Sequence, residues 1–149
     1  MYQFLREQSK KNANIKPVDF SQLFQGKTAY EVLQGVVQGY VNMNHQKKSL
    51  TFYKVIYSER SIQPMAARIV AEETERMIIA TKQLFYAMVI HKLLHFENAD
   101  MSALSFAMTV HGLMDYELDQ KYGYDEEPKN LLDEYLKWFC TENQVEAGD

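Results

Sequence analysis

The chain has 149 residues, 46% of them apolar, which is enough for one hydrophobic core and too little for two independent ones. Its three prolines and six glycines are scattered singly and leave no linker or low-complexity arm, so 1–149 reads as one domain. The net charge of −4 hides an asymmetry: residues 1–60 carry nine Lys/Arg against four Asp/Glu, a balance of +5, and residues 61–149 carry seven against sixteen, a balance of −9. Only Lys10-Lys11 and Lys47-Lys48 are adjacent basic pairs, so no dense basic stripe exists to grip nucleic acid.

Apolar residues recur at three- and four-residue steps throughout, which predicts an all-α chain of six or seven helices without strands. A short first helix is expected over 2–11, ending in a loop with Asn12, Asn14 and Pro17. Thr28-Ala-Tyr-Glu31 has the spacing of a capping box, in which hydroxyl and carboxylate satisfy free amides at a helix start. The helix it opens runs to about residue 46, with a stripe of Leu33, Val36, Val37, Tyr40 and Val41. Ser49 is placed to cap the next, which carries Phe52, Tyr53, Ile56 and Tyr57, and Pro64 restarts the helix after Ser61-Ile62-Gln63. Residues 65–96 contain no proline or glycine and read as helix throughout, the polar patch Glu72-Glu73-Thr74-Glu75 being the one place open to a kink or change of direction. Asp100 is the expected cap of a helix over 101–122 that Gly123 ends in a left-handed conformation. A last helix is expected over 128–141.

The last two helices carry more apolar surface than one stripe requires. Leu104, Ala107, Met108, His111 and Leu118 form one face of the first, and Phe106, Val110, Leu113 and Met114 form another. The final helix places Leu132, Tyr135, Leu136 and Phe139 on one side and Leu131 and Trp138 on the other. Large apolar surface left outside a core marks a partner surface. The expectation is a homodimer in which the two helices meet their symmetry mates in a four-helix interface built from Leu104, Met108, His111, Gly112, Leu118, Leu132, Tyr135, Leu136 and Phe139. Gly112 would allow close backbone approach at its centre, or alternatively serve packing within the subunit.

The chain offers little chemistry. His91 and His95 stand four apart, with Glu97 beyond, a spacing that shares one helix face and is in principle open to a metal. Without a general-base glutamate between them the ordinary reading is polar positions near a helix end, and no metal or other cofactor is expected. No Glu-x-x-His pair, nucleophile elbow, phosphate loop or dinucleotide glycine pattern occurs, so an enzyme is not expected. The lone Cys140, beside Trp138 and Phe139, reads as a core or interface hydrophobe. The longest apolar runs, such as Leu84 to Ile90, are far short of the ~20 residues of a membrane span, and no signal-peptide region opens the chain. A cytoplasmic protein without a membrane partner is expected.

The stretch Val89-Ile-His-Lys-Leu-Leu-His-Phe-Glu-Asn-Ala-Asp-Met-Ser-Ala-Leu-Ser-Phe-Ala-Met-Thr-Val-His-Gly-Leu-Met114 resembles the C-terminal region of the TetR family of transcriptional repressors: the end of a core helix, a short polar loop, then an alanine- and leucine-rich helix with a glycine. Phe52 to Ser61 followed by Pro64 is similar to that family's central helix and the turn after it, and Tyr2-Gln-Phe-Leu5 to the start of its linking helix. The resemblance covers most of the chain through pattern more than identity. It implies a ligand-binding and dimerising body, with 1–12 as the remnant of the linking helix. The family's helix-turn-helix head does not occur in this sequence, so DNA binding is assigned to no residue present. It further implies a cavity for a small lipophilic or cationic effector, with Phe52, Tyr53, Tyr57, Phe85, Tyr86, Met88 and Phe106 as lining. The alternative for these residues is plain core. The rival function is a headless helical interaction protein that pairs without a ligand.

Overall fold

The computed structural model of the chain describes residues 20–44, 54–124 and 130–146. The expected first helix, the cap at Ser49, and Phe52 and Tyr53 lie outside them. The described residues are all-helical, with no strand among them: α1 (Phe20–Phe24), α2 (Ala29–Asn44), α3 (Pro64–Ile90), α4 (Ala99–Tyr124) and α5 (Leu131–Glu142), with a further helical segment over 54–59.

Local chemistry explains most of the boundaries. The short α1, which periodicity did not predict, stacks the Phe20 and Phe24 rings at 5.7 Å. Gly26, at φ +69°, then turns the chain, a conformation that costs glycine little. The capping box follows: the Glu31 amide donates to Thr28 Oγ1 (3.2 Å) and the Thr28 amide to Glu31 Oε1 (3.3 Å). Along α2 the inward positions are Val32, Leu33 and Val37, whereas Val36, expected in the stripe, is exposed. Pro64 opens α3, where its missing N–H is no loss. That helix runs unbroken through the acidic patch, as the absence of proline and glycine implies. Arg76 pairs with Glu73 (3.2 Å) and Glu72 (3.7 Å), and the Thr74 hydroxyl donates to the Val70 carbonyl at 3.0 Å, so the helix wall satisfies its own polar groups.

The end of α3 departs from the sequence reading. Helix was expected to residue 96, but it stops at Ile90, and Lys92 sits in the left-handed region at φ 58°. The Leu93 amide donates to the Met88 carbonyl (2.8 Å) and the Lys92 amide to that of Val89 (3.0 Å). These are the two bonds of a Schellman turn with lysine where glycine is usual. Burial of Leu94 and packing of Leu93 and Phe96 onto the core explain why the chain turns here without a glycine. The cap of α4 is Asn98, not Asp100: the Met101 amide donates to Asn98 Oδ1 at 3.1 Å. Nor does Gly123 end α4 in a left-handed turn, since the helix continues through Tyr124 and Gly26 is the only glycine of positive φ among the described residues. The first turn of α5 gains a carboxylate from α4, with the Leu132 amide donating to Glu117 Oε1 at 3.4 Å, a favourable charge at a helix N-terminus.

The main core joins α2, α3, α4 and α5 around Leu33, Phe85, Met88, Phe106, Leu136 and Phe139. A smaller cluster, Ile56, Ala66 and Ile69, joins the segment 54–59 to the start of α3. No helix among the described residues is long and apolar enough to cross a membrane.

Candidate functional site

Two surfaces compete for function, the outer face of α4 and a groove between α2 and α5. The inner face of α4 is Ala103, Phe106, Ala107, Val110 and Met114. On the opposite side Met101, Ser105, Met108 and Gly112 recur at steps of four, three and four, which stacks them along one line of the helix. Met101 is 59% exposed and Met108 47%. Leu104, His111 and Leu118 flank this line, partly buried. His111 Nδ1 lies 3.5 Å from Asp115 Oδ2. Burial pushes the Asp115 carboxyl above its usual range, against the pull of His111. Gly112 is exposed, and among the described residues no other element stands within 4 Å of where its side chain would begin. Packing among the described residues therefore does not require a glycine there.

The α5 half of the expected interface is corrected. Leu132, Leu136 and Phe139 are buried in their own subunit. Phe139 alone lies against the rings of Phe106 (4.8 Å), Phe85 (5.5 Å) and Phe96 (5.9 Å). Surface committed to that core cannot also meet a partner. Tyr135 is half-buried, its ring 5.9 Å from both Phe106 and Trp138. Trp138, on the side the sequence reading set aside, is the one 57% exposed.

Of the aromatic set expected to line an effector cavity, Phe52 and Tyr53 lie outside the described residues, and the other five divide between the core and the surface. Phe85, Met88 and Phe106 are core residues, with Phe85 stacked on Phe96 at 4.8 Å and edge-on to Phe106 at 5.2 Å. Tyr86 points outward on the other side of α3, and Tyr57 lies under the Arg60 guanidinium, 3.6 Å above its ring. The two histidines do not share a helix face, because α3 ends before them. His91 lies edge-on to Phe24 at 5.1 Å, and the His95 amide donates to the Asn143 carbonyl at 2.8 Å. No cluster of three His, Cys, Asp or Glu stands ready for a metal among the described residues.

The sequence did not signal the groove, of about 320 Å³, lined by Thr28, Tyr30, Leu93, Lys137, Cys140 and Gln144 among others. Part of its polar wall is already engaged. The Tyr30 hydroxyl donates to Asp133, which also pairs with Lys137 at 3.2 Å. That bond raises the Tyr30 hydroxyl and lowers the Asp133 carboxyl from their ordinary values. Burial pushes the Cys140 thiol up to about 11, so at neutral pH it is a protonated, poorly nucleophilic group. An apolar patch at the far end of α3, with Ile79, Tyr86 and Ile90 exposed, also escaped the sequence reading.

Comparison with protein-family models, with curated proteins and with solved structures finds no match to this chain. The fold defines its class, an all-α helical protein.

Proposed function

We propose that this chain is a self-pairing helical module, the dimerising body of a TetR-like regulator, with α4 at the centre of its two-fold contact. One observation carries the reading: Met101, Ser105, Met108 and Gly112 lie along one line of α4 outside the core, and no described residue of another element approaches Gly112. A mid-helix glycine costs about 1 kcal/mol relative to alanine, and close approach of a second backbone is a physical reason to keep it. Trp138, reached across Tyr135, extends the contact onto α5. In such a body a small lipophilic effector biases two arrangements of the pair, and no covalent chemistry is involved.

The filled aromatic core around Phe85 and Phe106 favours a second reading on the ligand question, a helical interaction protein that pairs without an effector. Light scattering tests the pairing. The full chain is expected to have twice its monomer mass at micromolar concentration, and Met108→Glu to be a monomer of unchanged helicity. A monomeric wild type at tens of micromolar ends the proposal. A thermal-shift screen with lipophilic and cationic compounds separates the two readings, since a ligand at a hundred times its dissociation constant adds about 2.7 kcal/mol.

A further inference from the structure

We draw no further inference here: the strongest candidate, the exposed face of α2 that carries Gly35 and Gly39, where added side chains would meet nothing within 4 Å, is a stripe of small residues, and nothing among the described residues shows what covers it.

Discussion

Helices α4 and α5 carry the same signature, large apolar residues on more than one side, and the fold treats them differently. In α5 the bulk turns inward as Leu132, Leu136 and Phe139, leaving Glu134, Lys137, Thr141 and a single indole outside. In α4 two alanines take inward positions beside Phe106, Val110 and Met114, and Met101 and Met108 stay outside. A surplus of apolar residues thus says that a helix has two contacts to make, not which face makes which. In α5 the bulkier face went to the subunit's own core. In α4 small inward side chains bring α3 close and leave flexible thioethers on the surface.

The sharpest way to break this contrast is to truncate one side chain on each face. Phe139→Ala should cost about 3–5 kcal/mol, as expected for a buried aromatic. Met108→Ala should change the stability of the isolated subunit by less than about 0.5 kcal/mol. Urea denaturation of both variants at submicromolar concentration reads the difference, and comparable losses would contradict the assignment of faces. Next in size is the turn that delivers the chain from α3 to α4. Lys92→Gly relieves a left-handed residue bearing a side chain and should add about 1 kcal/mol; a loss on thermal melting would mean that the lysine side chain makes a contact worth more than the strain.

Gly112→Ala separates the folding of α4 from its use. Subunit stability should rise by about 0.5–1 kcal/mol, because the new methyl has open space and helix propensity improves. Dimer affinity, measured by sedimentation, should fall, and an unchanged affinity removes Gly112 from the contact. The smallest effect concerns the bond that ties α5 to α2. Tyr30 donates to ionised Asp133, whose lowered carboxyl gives a stability contribution present above the ordinary carboxylate value and lost as pH falls through the depressed one. The raised Tyr30 hydroxyl makes its contribution complete below about 10 and lost above. The urea midpoints of wild type and Tyr30→Phe should therefore differ at pH 7 and begin to converge only as pH falls below the ordinary carboxylate value of about 4 and on through the depressed one. Equal midpoints at pH 7 would show that the bond contributes nothing.

What the sequence made legible was local. The Thr28–Glu31 capping box is four residues that answer one another, and the structure forms it as written. The all-α class follows from the three- and four-residue apolar steps that run along α2, α3 and α5. The end of α3 was illegible because no residue marks it: Lys92 is an ordinary helix former, and only burial of Leu94 and the fit of Leu93 against the core turn the chain. Asn98 and Asp100 are equally good caps on paper, and the geometry of that same turn chose the first. The α5 face was misassigned because Leu132 and Phe139 carry no mark of whether their neighbours belong to the same subunit. The aromatic residues read as pocket lining met the same ambiguity, since a ring that fills a core and a ring that lines a cavity have one spelling.

The hydrogen bond from the His95 amide to the Asn143 carbonyl links the corner between α3 and α4 to the chain just beyond α5. Its donor is shielded only while that far end stays docked. Deuterium uptake at this one amide thus reports the detachment of the C-terminal segment, and its rate measures how often the segment lets go while the remaining helices hold.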